Sequence, residues 1–280
     1  MNTADHFSSL ILYCRSLNSL AHFNISNFRS IAILIVFFLP TGCQSREEIN
    51  LGFDRKLDLS NQQDTVILLH GMWRNEAAMR PVERFLNAQG YNVLNIAYPS
   101  TDYPIETLVE NYLKPAVDGL KRTSNQKLHF VTHSMGGILV RYYLKHNMPE
   151  GIGRVVMLAP PNQGTELATL FADSEWIDVK RGPAAEQLST GKKSWVNQLG
   201  PVNFELGVIA GNYNSNWLTD WILPGEDDGV VSVESTRVEN MKDFMTIPVK
   251  HYRIRANATA LNQTAHFLKF GRFYHSLHST

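Results

Sequence analysis

The sequence predicts an α/β fold, a mostly parallel sheet with helices on both faces. Three observations predict it. From Thr65 onward, short apolar runs alternate with longer stretches of helical period, the order that parallel strands joined by crossover helices produce. The first of these runs, "TVILLH", is β-branched and leucine-rich without polar alternation, as suits a strand covered on both faces. A chain of 280 residues with 44% hydrophobic content is long enough to bury one large core.

The elements follow in order. "TVILLH" (65–70) is a strand. "EAAMRPVERFLNAQG" (76–90) reads as a helix that Gly90 stops. "YNVLNIAYP" (91–99) is a strand, and residues 104–123 are helical with Pro115 as an interruption. "KLHFVTH" (127–133) is a strand, "MGGILVRYYLKHN" (135–147) a helix and "RVVMLAP" (154–160) a strand. A longer irregular region leads to strands at 206–211 and 244–249 and to a closing helix over 261–272.

Charge excludes one class of partner. Lys+Arg is 26 and Asp+Glu is 26, and the longest run of like charges is the acidic triplet Glu226-Asp227-Asp228. Nucleic-acid binding has no electrostatic footing in such a chain. Cysteine usage excludes more. Cys14 and Cys43 are the only two, both within the first 43 residues. The folded domain therefore has neither a disulfide nor a cysteine metal site, and thiol catalysis is excluded.

The N-terminal segment has its own logic. Arg29 is followed closely by nine apolar residues, Ile31 to Leu39, and then by Pro40-Thr41-Gly42-Cys43. A bilayer-spanning helix needs about 20 apolar residues, whereas the apolar core of a secretory signal is about 7–15 long. Gly42-Cys43 resembles the cleavage point of a bacterial lipoprotein signal, with Cys43 carrying lipid. That resemblance implies a membrane-anchored protein of the cell envelope facing the periplasm; the alternative is export without lipid. The stretch before Arg29 is long for a signal, so translation is expected to start further in.

The chemistry centres on "FVTHSMGGILVRYYL" (130–144). It places Ser134 between a strand and a helix, with Gly136 and Gly137 just behind. In a parallel sheet, ligands sit at the carboxyl ends of the strands. A sharp strand-to-helix turn there pushes the hydroxyl outward and leaves little room beside the following helix, so small residues are needed. Thr132-His133-Ser134-Met135-Gly136 resembles the G-x-S-x-G nucleophile elbow of the α/β-hydrolase superfamily, with Thr132 where glycine is usual. "VILLHGMW" (66–73) is similar to the family's His-Gly turn, and "LAPPNQGTEL" (158–167) to the strand and turn after the elbow helix in lipase-like members.

The resemblance covers residues 65–272 and implies an α/β-hydrolase fold with a small cap or lid. It divides the chain into a leader (1–43), a polar tether (44–64, with one suggested edge strand) and a hydrolase domain (65–280), in which 168–224 is a possible cap region. It implies a Ser-acid-His order. Ser134 is the nucleophile, Asp228 before Gly229 is the acid with Asp227 as its rival, and His251 after the last strand is the general base. The backbone N–H groups of Met72 and Met135 form the oxyanion hole. His70 and His133 read as turn and elbow structure, and His266 as packing.

The function implied is hydrolysis of a small-molecule or lipid carboxylic ester through an acyl-enzyme, by a monomer, with no metal or organic cofactor. Trp176, Trp195, Trp217 and Trp221 suggest an apolar acyl or aromatic substrate; core packing is the other reading. Acyl transfer through the same three residues, or a non-catalytic envelope lipoprotein, are the alternatives.

Overall fold

The computed structural model describes residues 63–172, 182–191, 194–216, 219 and 221–275. The leader, Cys43, residues 44–62 with their suggested edge strand, and Trp176 and Trp217 lie outside the described residues.

Six strands form one parallel sheet. They are β1 (Thr65–Leu69), β2 (Asn92–Ile96), β3 (Leu128–His133), β4 (Ile152–Leu158), β5 (Glu205–Gly211) and β6 (Asp243–Ile247). Their order is β2-β1-β3-β4-β5-β6, with every neighbouring pair parallel. Successive residues of a strand face opposite sides, and β1 shows why its run had to be apolar throughout. Ile67 and Leu69 pack with Leu108, Val109, Ile138 and Leu139 on one face. Val66 and Leu68 pack with Val82, Leu86, Phe267 and Leu268 on the other. Each such fully buried side chain contributes about 1.5–3 kcal/mol.

Seven α-helices are described: α1 (Arg80–Ala88), α2 (Ile105–Leu108), α3 (Lys114–Asp118), α4 (Met135–His146), α5 (Glu166–Ala172), α6 (Pro183–Gln187) and α7 (Ala258–Phe270), which closes the fold. Three differ from the sequence reading. The first turn of the 76–90 helix is a tight 3₁₀ turn over Glu76–Met79, capped by the Asn75 side chain on the Ala77 N–H at 3.2 Å. The 104–123 helix ends at Asp118 and contains a wide π turn over Val109–Leu113 just before Lys114-Pro115. Pro115 has no N–H and its ring would strike the carbonyl one turn back; a wider turn relieves that clash without ending the helix. The closing helix starts three residues early because Asn257 caps it, accepting from the Ala260 N–H at 3.0 Å. It stops where Gly271 turns left-handed at φ 69°.

The sheet order does the positioning. Ser134 follows β3 at the centre of the sheet, while Asp228 and His251 follow β5 and β6. All three therefore arrive at the carboxyl edge from different strands.

Candidate active site

Ser134 sits at φ 54°, ψ −129°. A non-glycine residue there costs about 1–3 kcal/mol and persists only where its surroundings hold it. Two contacts hold it. Its N–H donates to the Leu158 carbonyl of β4 at 2.9 Å, and its carbonyl accepts from the Gly137 N–H at 2.9 Å. The glycines behind it are a matter of space. A Cβ on Gly136 would lie 2.6 Å from the Leu69 carbonyl oxygen and 2.8 Å from that of His70. Helix α4 thus starts directly against the end of β1. Thr132, where the motif has glycine, is fully buried and its hydroxyl has no partner. The close approach on the other side comes from Gly71, where a Cβ would lie 2.9 Å from Ser134 Cβ.

His251 reaches the serine from β6. Its Nε2 lies 3.0 Å from Ser134 Oγ, and its Nδ1 lies 2.7 Å from Asp228 Oδ2. A carboxylate accepts, so Nδ1 carries the proton and Nε2 accepts from the hydroxyl. The other Asp228 oxygen accepts from the Val230 and Val231 N–H groups at 3.0 and 2.9 Å. That loop turns the remaining oxygen toward the imidazole. Gly211 makes room for it, since a Cβ there would lie 2.9 Å from Asp228 Cβ. Asp227, the rival acid, points elsewhere and accepts from the Gly229 N–H at 2.7 Å.

The histidine backbone is also fixed. The His251 N–H donates to the Asp228 carbonyl at 3.0 Å. The His251 carbonyl accepts from His133 Nε2–H at 2.9 Å, and the two rings lie 4.8 Å apart. Burial, then His251 and Arg255, push the His133 pKa well below its ordinary value, so this ring is a neutral donor. Sequence reasoning took His133 as elbow structure and missed its hold on His251; adjacency to Ser134 was the only signal. Arg255 was missed too. Its guanidinium donates to the Ala78 carbonyl at 2.8 Å and the Tyr252 carbonyl at 3.0 Å, tying the loop after β1 to the loop after β6.

The turn after β1 is rigid. His70 is fully buried, stacks on Tyr98 at 4.0 Å and donates from Nδ1 to the Gly71 carbonyl at 2.9 Å. The Tyr98 hydroxyl donates to the His70 carbonyl. Burial lowers the His70 pKa to about 4. The Met72 amide follows this turn, and Met135 opens helix α4, where N–H groups have no intrahelical partner.

Of the four tryptophans of residues 168–224, Trp195 and Trp221 are described. Trp195 stacks on Tyr142 of α4 at 5.7 Å and donates to Glu106 Oε1 at 2.7 Å. Trp221 is 88% exposed. A cavity of about 270 Å³ lies beside the later turns of α4, lined by Arg141, Lys145, Pro201 and Phe204. Arg141 is buried there and donates to the Asn162 and Gly200 carbonyls at 2.7 and 2.8 Å. Among the described residues, no group of three or more His, Cys, Asp or Glu is placed to hold a metal ion.

The fold belongs to a known class. The chain belongs to the alpha/beta hydrolase family, whose model matches residues 66–232. Among solved structures it is similar to the mature form of Bacillus licheniformis lipase BlEst2, at 21% identity and TM-score 0.58, covering 75% of this chain and 92% of that one. The propeptide form of the same lipase matches at 20% identity and TM-score 0.58, over 76% of this chain but only 51% of that one. The metagenomic carboxyl esterase MGS0156 matches at 16% identity and TM-score 0.55, over 81% and 80% of the two chains. At these identities the likeness concerns the fold. Comparison with curated proteins finds no match.

Proposed function

We propose that this chain is a serine hydrolase of carboxylic esters, lipase- or esterase-like, working through Ser134, His251 and Asp228. One observation carries the reading: an unbroken line of hydrogen bonds from Asp228 through His251 to Ser134, at 2.7 and 3.0 Å. His251 takes the proton from Ser134 as the oxygen attacks the acyl carbonyl. Asp228 keeps the imidazole in the tautomer that can do so and stabilises its charged form. The Met72 and Met135 N–H groups receive the developing oxyanion. Protonated His251 then gives its proton to the departing alcohol. Water, deprotonated by the same imidazole, releases the acyl enzyme.

The test is a panel of esters of rising chain length with wild type and Ser134→Ala. Wild type hydrolyses short activated esters. The variant loses on the order of a millionfold in kcat, while its melting temperature barely moves. A variant within tenfold of wild type would remove Ser134 from the chemistry.

We also propose that the mature protein begins at a lipidated Cys43 and faces the periplasm of a bacterial envelope. The support is the apolar run Ile31 to Leu39 ending in Thr41-Gly42-Cys43. A single acyl chain holds a protein only marginally, while two or three hold it firmly. Fractionation of cells with Cys43→Ala, with intact mass, tests this. Wild type found in the cytoplasm with residues 1–42 attached contradicts it.

A further inference from the structure

Among the described residues, the exposed large apolar side chains are Trp73, Tyr103, Met148, Tyr213, Trp221, Tyr252, Phe270 and Tyr274. The five that lie on loops following strands, on the side of the sheet where Ser134 stands, are Trp73, Tyr103, Tyr213, Trp221 and Tyr252. Met148, Phe270 and Tyr274 follow or end helices instead. Among the described residues, the exposed large apolar side chains on this rim are thus Trp and Tyr only. These are side chains with an apolar body and a polar tip, suited to a boundary between water and hydrocarbon.

Charge divides that rim. Trp73, Tyr213 and Tyr252 stand on segments 70–75, 212–216 and 248–257, which carry Arg74, Lys250, Arg253 and Arg255 and no acidic residue. The third segment touches the second and the 3₁₀ turn that follows the first. Arg255 bridges the Ala78 and Tyr252 carbonyls, and the Lys250 ammonium lies 5.8 Å from the centre of the Tyr213 ring. Arg74 and Arg253 are exposed and form no ion pair among the described residues. The flanking acids are Glu76, one residue past the first segment, Asp220, four residues past the second, and Glu226, whose carboxylate accepts from Asn212 at 3.1 Å; Asp227 and Asp228 beyond it are buried. The other half of the rim, with Tyr103 and Trp221, has Asp102 and Asp220 beside those residues in sequence.

We propose that the basic half of this rim, Trp73, Tyr213 and Tyr252 with Arg74, Lys250 and Arg253, docks on an anionic phospholipid surface. Aromatic side chains enter the headgroup region while Lys and Arg meet the lipid phosphates. The choice of a lipid over a protein rests on the proposed hydrolase function. A protein seated on this rim would cover Ser134, whereas a lipid surface would present esters to it. Docking brings the serine to a membrane-borne substrate without moving the fold.

Tryptophan fluorescence of the full chain tests this, with Cys43→Ala as the common background so that no lipid anchor holds the protein to the vesicles. All five tryptophans lie at or beyond position 73, so the apolar leader carries none and the signal reads the folded domain. The probes are vesicles with brominated acyl chains, made of phosphatidylcholine alone or with phosphatidylglycerol. The parent chain is quenched by the mixed vesicles and much less by phosphatidylcholine alone. Trp73→Phe removes a large share of that quenching. Arg74→Glu with Arg253→Glu raises the lipid concentration needed by at least about tenfold, while hydrolysis of a soluble short-chain ester stays within about twofold. Equal quenching by both vesicle types, or unchanged quenching in the double variant, overturns the proposal. So does self-association in lipid-free buffer that the same two substitutions abolish, because the face would then belong to a second copy. Quenching as expected in a parent chain that hydrolyses no soluble ester leaves the docking standing and removes the hydrolase reading.

Discussion

Two histidine–aspartate pairs stand near opposite ends of β3, and they are chemically unlike. At the carboxyl end, His251 Nδ1 meets Asp228 at 2.7 Å, with both side chains buried. Its second nitrogen faces a hydroxyl, Ser134 Oγ at 3.0 Å. At the amino end, His129 Nε2 meets Asp64 at 3.4 Å, and Asp64 is 36% exposed. Its second nitrogen already accepts the Arg154 N–H at 2.8 Å. The first imidazole can take up and return a proton at Nε2. The second has both nitrogens committed to holding β3, β4 and the start of the domain together. A His–Asp pair is therefore not a chemical unit by itself; what occupies the second nitrogen decides its use.

The sharpest way to break that contrast is to remove each histidine. His251→Ala is expected to lower kcat for an activated ester on the order of a millionfold. His129→Phe strands the Arg154 N–H and costs about 1–3 kcal/mol of stability, yet leaves kcat within about tenfold of wild type. Kinetics and urea unfolding on the same preparations check both. Equal kinetic losses would erase the difference between the two ends.

The aspartates give a smaller effect. Asp228→Asn keeps the acceptor for Val230 and Val231 but turns an amide toward His251, which favours the wrong tautomer. Its expected cost is about 10⁴ in kcat/KM. Asp227→Asn and Asp64→Asn stay within about tenfold. A larger loss in Asp227→Asn moves the acid by one residue.

Proton linkage gives the smallest effect. The folded-state pKa of His70 is about 4, below the ordinary 6.5, because burial disfavours its charge. Above pH 6.5 the folded and unfolded forms are both neutral there. As pH falls below 6.5 the unfolded chain binds a proton that the folded one refuses, so stability declines until pH reaches about 4. At pH 5 the expected loss is about 2 kcal/mol. His129 and His133 are shifted down by burial too and add in the same direction. Urea midpoints at pH 7 and pH 5 measure it. A His70→Gln variant with undiminished pH dependence contradicts the assignment to His70.

Much of the fold was legible because its signals are local. Apolar runs such as Thr65–Leu69 announce buried strands, and Ser134 with Gly136 announces a turn with no room beside it. Asp228 and His251 were legible because each follows a strand in the expected order. Long-range relations were not legible. Nothing local to His133 says that its ring will anchor the His251 carbonyl, 118 residues away. Nor does Arg255 announce its hold on Ala78, 177 residues back. Trp195 shows the same limit: composition drew it toward the serine, but a hydrogen bond to Glu106 and a stack on Tyr142 place it on the flank of α4. Gly71 was read only as part of a His-Gly turn, and the packed turn reveals that Ser134 fills the place of its side chain.

The central claim is that Ser134 is a nucleophile because His251 and Asp228 make it one. A fluorophosphonate probe reports this most directly, since it bonds only to an activated hydroxyl. The full chain is treated with the probe, digested, and the adduct located by peptide mass spectrometry. The account predicts a single adduct on Ser134, formed rapidly in wild type, much more slowly in Asp228→Asn and not at all in His251→Ala. An adduct on another residue, or labelling of Ser134 at the wild-type rate in His251→Ala, would contradict it.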